Sequence, residues 1–427
     1  MLYRILFLII VLTVQGFSSG TKEVQKKIIN VLDGLASSTK TAILIYNPLT
    51  EDTIYSMNPT VSMIPASNTK LFTTAAALEI MGGDYLLSTQ ILTDDTVFTD
   101  STLNGNIYVK GLGNSMFTQS DLDSLVRVIY NMGLRKITGN VKGDDTFFDN
   151  IYTRDDWIDD EKANVKLPPV SALIVDRNTK YITRIRRGRR RHYKIFIDNP
   201  PLYAAKLLKE KLIDAGIKVE GKVRKGKTPS TAVVIAQSNI ELRDLIKQIN
   251  KHSDNFLAEC LFKTIGAVAS GKQGNSFYST QAILTFMEDN AIYSHGTAVV
   301  DGSGISRFDQ ITAGAIVGLL EKVYFDLKNF ADFYNSLSIA GVDGTLEDRM
   351  DDSKEHINFR GKTGTLNGVS SLSGYLTTKY GDDLIVSIVF EFQKGRLKAY
   401  RKAQDKIIKI INNWREESPE DIKLQGY

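Results

Sequence analysis

The two ends of this chain are built alike, and that likeness constrains its fold more than any other feature. Lys22 to Leu35 spaces Val24, Ile28, Val31, Leu32 and Leu35 along one helical face, and the apolar run Thr41-Ala42-Ile43-Leu44-Ile45-Tyr46 follows as a buried strand. After Asn47-Pro48-Leu49-Thr50-Glu51-Asp52, the stretch Thr53 to Met57 reads as its hairpin partner. The far end mirrors this, with strands expected at Ile357 to Arg360, Val369 to Leu376 and Leu384 to Phe392, then a helix from Leu397 to Trp414. The ends fit one antiparallel sheet.

What lies between divides by texture. A helix is expected from about Ala66 to Met81, with Pro65 in its first turn, Gly82-Gly83 at its end, and Leu71, Ala75, Leu78 and Met81 as its core-facing stripe. From Leu87 to Val234 short β-rich segments alternate with turn residues, as in Gly105-Asn106-Ile107-Tyr108-Val109-Lys110-Gly111, interrupted by one helix from Ser120 to Met132. Helices then return at Ile240 to Asn250, Asn255 to Thr264, Thr280 to Met287 and Ala313 to Val323. The fold class is α/β (α+β): an antiparallel sheet shared by the two ends, with helices around it and a β-rich block between. Residues 21–87 and 235–427 form one discontinuous domain on this reading, and 88–234 a β-rich insertion. A length of 427 residues suits such a division into two or three packed units.

The first twenty residues differ from the rest. Arg4 precedes the apolar run Ile5 to Val14, and the small residues Gly16, Ser18, Ser19 and Gly20 follow, the pattern of a secretory signal peptide. That run is short for a bilayer span of about 20 residues. The one cysteine, Cys260, lies far from it, so the segment offers no thiol for a lipid anchor and the chain cannot form an internal disulfide. A net charge of +4 gives no whole-chain argument for nucleic acid.

Three short patterns carry chemistry. Ser67 and Lys70 in Ser67-Asn68-Thr69-Lys70 stand three apart near the start of a helix, so both side chains leave one face about a turn apart. A serine hydroxyl needs a proton acceptor within hydrogen-bond reach, and a lysine serves if burial, a neighbouring cation or a helix N-terminus lowers its pKa. Ser253-Asp254-Asn255 lies in a turn between two expected helices and could present a hydroxyl and an amide to a cleft. Lys362-Thr363-Gly364-Thr365 lies at or within a strand beside Gly361, where substrate backbone could pair along an edge. Each pattern alone fits an ordinary role: a solvated helix face, a helix N-cap, a surface turn. Together, in this order on a sheet-and-helix frame, they argue for a site.

This set resembles the S-x-x-K, S-D-N and K-T-G signature of penicillin-binding proteins and active-site serine β-lactamases. With Pro65 to Gly82, Gly105 to Gly111, Asp301-Gly302-Ser303-Gly304-Ile305-Ser306 and Gly361 to Gly374, the chain is similar to class C low-molecular-mass penicillin-binding proteins, the D-alanyl-D-alanine carboxypeptidases and endopeptidases. The resemblance implies a β-lactamase/transpeptidase-like catalytic domain, an antiparallel sheet with helices on both sides plus a helical subdomain, carrying a large β-rich insertion of two small domains. It implies that Ser67 attacks the carbonyl of the penultimate D-alanine while Lys70 takes its proton. Ser253, helped by Lys362, would relay a proton to the leaving amine, and Asn255 would hold Lys70 and the substrate amide. Thr363, Gly364 and Thr365 would bind the carboxylate end, with the backbone N–H groups of Ser67 and Thr365 as oxyanion hole. The implied partners are peptidoglycan stem peptides, with β-lactams as covalent inhibitors, in the periplasm or cell envelope. No cofactor or metal is implied.

Two other readings fit these residues less well. A serine β-lactamase of class A would carry E-x-x-L-N, and Glu288-Asp289-Asn290 lacks that spacing; a cell-wall-binding homologue without turnover would have lost key side chains, and all are present. G-x-S-x-G is missing, and His192, His252, His295 and His356 are scattered without metal-ligand spacing. Arg184-Ile185-Arg186-Arg187-Gly188-Arg189-Arg190-Arg191-His192-Tyr193-Lys194 is the densest basic run. It reads as a solvated, partly extended face of the insertion, balanced by Asp155, Asp156, Asp159, Asp160 and Glu161; as a functional element of an exported protein it would meet an anionic wall or membrane surface rather than nucleic acid.

Overall fold

The computed structural model describes residues 19–95, 100–157, 166–186, 189–351 and 357–416. Residues 1–18 of the expected signal segment, Asp159 to Glu161 of the acidic cluster, Arg187, Gly188 and His356 lie outside them, while Ser19 and Gly20 open the first helix.

Both ends of the chain enter one six-stranded antiparallel sheet, whose order is Ser338–Ile339, Asn358–Leu366, Val369–Thr377, Asp383–Glu391, Lys40–Asn47, Asp52–Met57. The closing pair joins Lys40 to Glu391 and Tyr46 to Ile385. Strand alternation sends successive side chains to opposite faces. Ile43, Ile45, Val386, Ile388 and Phe390 pack with Val24, Ile28, Tyr400 and Ile407 of the terminal helices Ser19–Leu32 and Leu397–Ile411. Ala42, Ile385 and Val389 pack on the other face with the helices Thr69–Met81, Asn255–Ser270 and Ala313–Tyr324. Val369–Thr377 is covered on both faces and buried at every position but the last, and its buried Ser371 and Ser373 are hydrogen-bonded to Pro65 O and Ser387 Oγ.

The central block builds a separate five-stranded sheet in the order Val223–Lys225, Val141–Asp144, Ile107–Leu112, Leu86–Thr93, Val233–Glu241. It packs with the helices Gln119–Asn131 and Pro200–Asp214 around one apolar cluster that runs from Ile91 to Ala236. The second of those helices departs from the expectation of one. Asn199 caps it, Pro200 and Pro201 open it, and Ala204, Ala205, Leu208 and Leu212 form its buried face, so the start signals were present. A short helix, Phe330–Ser336, was also unforeseen.

Two differences bear on the site. The expected helix from Ala66 is a three-residue 3₁₀ turn, Ala66–Asn68, followed by the α-helix Thr69–Met81, because Ala66 sits in the left-handed region at φ 48°. That helix is also buried all round from Thr69 to Leu78 instead of along one stripe, since it fills the space between the sheet and the helices behind it.

Candidate active site

The Ser67 turn is clamped from three directions. A Cβ added at Gly304 would lie 1.9 Å from the Ala66 carbonyl oxygen, and one at Gly364 would lie 2.8 Å from that of Pro65. Only glycine lets both segments approach so closely. Ser371 Oγ donates to Pro65 O at 2.7 Å, and Asn68 Nδ2 to Ser373 Oγ at 2.8 Å. Ala66 and Asn68 are consequently buried, leaving Ser67 half-buried at the surface of the turn.

Lys70 is wholly buried one turn on, and its Nζ has three acceptors: Ser67 Oγ at 2.9 Å, Asn255 Oδ1 at 2.6 Å and Ser303 O at 2.5 Å. An ammonium has three hydrogens, so all are engaged. Burial pulls its pKa down to about 8, against the opposing pull of Asp301, Glu259, Asp254 and Asp309. Loss of one proton turns the contact with Ser67 around: the amine becomes an acceptor for the hydroxyl. That is what a general base requires.

A second lysine–serine pair adjoins the first. Lys362 Nζ donates to Ser253 Oγ and to Thr363 O, both at 2.8 Å. Burial, with the Lys70 cation near by, holds Lys362 well below the usual lysine range. Ser253 caps the helix Leu242–His252 in the left-handed conformation, φ 54°, which turns the chain sharply before Asn255. Between them Asp254 looks away from both lysines: it caps the helix Asn255–Ser270 through Leu257 N–H and ion-pairs with Arg177 at 2.8 Å.

Lys362-Thr363-Gly364-Thr365 occupies the middle of the nine-residue strand Asn358–Leu366. On its outer side the strand pairs with Ser338–Ile339 only at Arg360 and Gly361. Beyond Gly361 no described strand covers that edge, so its backbone is open to an extended ligand. Thr363 Oγ1 donates to Thr345 Oγ1 at 2.8 Å, and the exposed Thr365 accepts from Arg401 at 3.1 Å. Every site residue expected from the sequence therefore lies on one of two contiguous lysine–serine networks or on this strand edge. A cleft lined by Tyr324, Phe330, Tyr334 and Tyr375 holds none of them.

Over residues 24–192 and 185–411 the sequence matches the D-Ala-D-Ala carboxypeptidase 3 (S13) family. The chain belongs to this family of serine D-Ala-D-Ala carboxypeptidases. It is 26% identical over 423 residues to a D-alanyl-D-alanine carboxypeptidase of Actinomadura sp. (strain R39), covering 83% of this chain and 78% of that one. It is 24% identical over 406 residues to the D-alanyl-D-alanine carboxypeptidase DacB of Haemophilus influenzae, covering 81% and 84%. The fold is similar to that of penicillin binding protein 4 from H. influenzae, with a TM-score of 0.78 at 21% identity over 90% of this chain and 98% of that one.

In this carboxypeptidase the sequence reading missed the support behind Lys70. Asp301-Gly302-Ser303-Gly304 forms a tight turn that delivers the Ser303 carbonyl to Lys70. Asp301 shapes it by accepting from the backbone N–H groups of Ser303 (3.1 Å), Gly304 (2.7 Å) and Ser306 (2.8 Å). Asp309 and Glu259 are buried alongside; burial and the Asp301 charge push Glu259 up to about 8 and Asp309 well above the carboxylate range. An aspartate before two glycines signals a turn, yet nothing in the sequence says which lysine the turn will meet. Arg401 gave no signal either, since it sits on an ordinary amphipathic helix.

Proposed function

We propose that this carboxypeptidase cleaves peptidoglycan stem peptides through an acyl-enzyme on Ser67. The observation that carries the reading is Lys70 Nζ, buried and held between Ser67 Oγ and Asn255 Oδ1. Neutral Lys70 takes the hydroxyl proton as Ser67 Oγ bonds to the carbonyl carbon of the penultimate D-alanine. The backbone N–H groups of Ser67 and Thr365 receive the developing oxyanion, a donor pair of the kind worth roughly 3 kcal/mol each. Ser253, hydrogen-bonded to Lys362, passes a proton to the leaving D-alanine amine as the peptide bond breaks. Asn255 orients Lys70 and the substrate amide, while Thr363, Gly364 and Thr365 seat the terminal carboxylate along the open strand edge. Water then attacks the ester, and Ser67 and the shortened peptide separate.

A β-lactam presents a carbonyl and a carboxylate in the same relation, and so acylates Ser67 without ready release. One solved relative, penicillin binding protein 4 of H. influenzae, has been crystallised with a β-lactam. Residues 21–87 and 235–427 act as the catalytic unit and 88–234 as an insertion, supported by the separate apolar cluster of the central block. The apolar run Ile5 to Val14 serves export to the cell envelope, where the enzyme has peripheral contact with wall or membrane. No described helix is long and apolar enough to cross a membrane.

Intact-mass measurement after incubation with benzylpenicillin tests the reading. The chain should gain the mass of one penicillin, and Ser67→Ala should gain none. An equal adduct on Ser67→Ala would remove Ser67 as nucleophile. Digestion of monomeric and cross-linked muropeptides by the wild type then shows whether terminal D-alanine or the cross-link is the bond it prefers.

A further inference from the structure

The hairpin formed by Thr179–Arg186 and Arg189–Phe196 stands apart from every sheet of the molecule. Its root is fixed. The preceding turn Asp176–Asn178 holds left-handed backbone at all three residues, Asn178 Nδ2 donates to Pro169 O at 2.9 Å, and Ile197 N–H donates to Asn178 O at 2.9 Å. Arg177 in this turn is the residue that ion-pairs with Asp254 beside the catalytic lysines. The tip is bare, for from Arg184 to Lys194 every described side chain is exposed.

An isolated two-stranded ribbon is at best marginally stable in water, and like charges opposite one another on a shared face weaken it further. This ribbon has both features. The register pairs Arg184 with Arg191 and Arg186 with Arg189 on one face, so four guanidinium groups crowd the tip. The other face carries Tyr181 and Ile185, 73% and 69% exposed, beside their cross-strand neighbours Lys194 and Arg190. Thr179 to Phe196 contains no acidic residue, and none of Arg184, Arg186, Arg189, Arg190 and Arg191 makes an ion pair among the described residues. Among the described residues these arginines have no carboxylate partner, so the element is open to an external countercharge.

We infer that this hairpin docks the enzyme on an anionic lipid surface, its arginines meeting headgroup phosphates while Ile185 and Tyr181 enter the interface. Ile185 and Tyr181 decide between partners. A wall polymer or nucleic acid in water would satisfy the arginines, but it gives an exposed isoleucine nothing to bury against. The lipid interface takes cationic, aliphatic and tyrosine side chains together. Because the rigid root of the hairpin also contacts Asp254, docking orients the Ser253 side of the cleft relative to that surface. The inference rests on the envelope location proposed above and adds to it the element and the partner.

Sedimentation of the full chain with vesicles tests it, comparing phosphatidylcholine alone with phosphatidylcholine containing phosphatidylglycerol, at low and high salt. Any contribution of the apolar N-terminus falls on both vesicle types, so the anionic-to-neutral ratio is the readout. The wild type should bind anionic vesicles at least about tenfold better, a preference collapsing at high salt. R184S/R186S/R190S/R191S should abolish that ratio, and Ile185→Ser should lower vesicle binding several-fold while leaving retention on heparin or DNA unchanged. A wild-type ratio near one, an unchanged ratio in the arginine variant, or equal vesicle binding by Ile185→Ser would overturn the inference. So would strong binding to DNA or isolated wall with none to vesicles. Penicillin acylation, measured on the same samples, should be equal in wild type and variants. Its failure in all of them would strike the acyl-enzyme reading and leave the vesicle result standing.

Discussion

A lysine that takes a proton from serine must spend part of its time uncharged, and burial of Lys70 supplies that condition. With its pKa drawn down to about 8, roughly a tenth of the enzyme holds neutral Lys70 at pH 7 and half at pH 8. The sign follows: protonated Lys70 is blocked, so acylation by a penicillin whose own ionisation is constant should rise with pH from 6 to about 8 and then level. Stopped-flow acylation rates across that range check it, and a flat or falling limb would remove Lys70 as the base. Lys70→Ala should lower the rate by at least about a hundredfold with thermal stability largely kept.

The carboxyls behind Lys70 allow a sharper contrast. Asp301 accepts three backbone N–H bonds, and an amide oxygen and NH₂ group cannot accept all three. Burial and the adjoining Asp301 charge push the Asp309 carboxyl well above the usual carboxylate range, towards its neutral form. Its Oδ1 accepts from Val300 N–H at 2.7 Å, which an asparagine oxygen would continue to do. Asp301→Asn should therefore cost about 2–4 kcal/mol and lower acylation by displacing Ser303 O, whereas Asp309→Asn should stay within about 1 kcal/mol and keep the rate. Thermal melts and acylation rates of the two variants give the comparison, and equal effects would show that the three backbone hydrogen bonds to Asp301 do not set the cost.

At the scale of elements, what the sequence made legible was what periodicity encodes. The strands at both ends, the helix after Ser67 and the turn at Ser253 all announce themselves through apolar spacing or turn chemistry. Less legible were features set by tertiary approach. The left-handed Ala66 carries no mark in its residue type, and it persists because Gly304 and Gly364 press on the turn from loop and strand. The helix Pro200–Asp214 was readable from Asn199-Pro200-Pro201 but hidden by the β-rich texture around it. Lys362-Thr363-Gly364 could be placed near a strand, yet its open edge depends on how short Ser338–Ile339 is. The packed turn yields a prediction: Gly304→Ala combines φ of +76° with a Cβ 1.9 Å from Ala66 O. It should cost roughly 3 kcal/mol or more and displace Ser67, read as a lower melting temperature and slowed acylation. Gly381→Ala, also at positive φ but with open space around it, serves as control and should lose about 1 kcal/mol. Equal melting temperatures would show that backbone strain alone, without the Ser67 clamp, sets the cost.

In the whole molecule the active site depends on closure of a sheet by segments from opposite ends of the chain. Among the described residues Lys40–Asn47 has strand neighbours only in Asp52–Met57 and Asp383–Glu391, and the terminal helices cover that seam together. Both apolar clusters pack against strands on either side of this seam, so the sheet should open as one cooperative unit. The central block has its own apolar cluster and can open separately, and the hairpin Thr179–Phe196 buries almost nothing. Native-state hydrogen exchange should therefore rank three classes. Amides of Lys40–Asn47, Val369–Thr377 and Asp383–Glu391 should exchange last and with one shared opening free energy, despite their separation in sequence. Those of Leu86–Thr93 and Ile107–Leu112 should exchange earlier as a second set, and those of Arg184 to Lys194 within the first time points. Penicillin acylation should slow the first class and leave the second nearly unchanged, because Ser67, Lys70 and Lys362 all rest on the closed sheet or the helix packed against it. Exchange of Lys40–Asn47 ahead of Leu86–Thr93 would mean that the insertion, not the closed sheet, is the more stable unit.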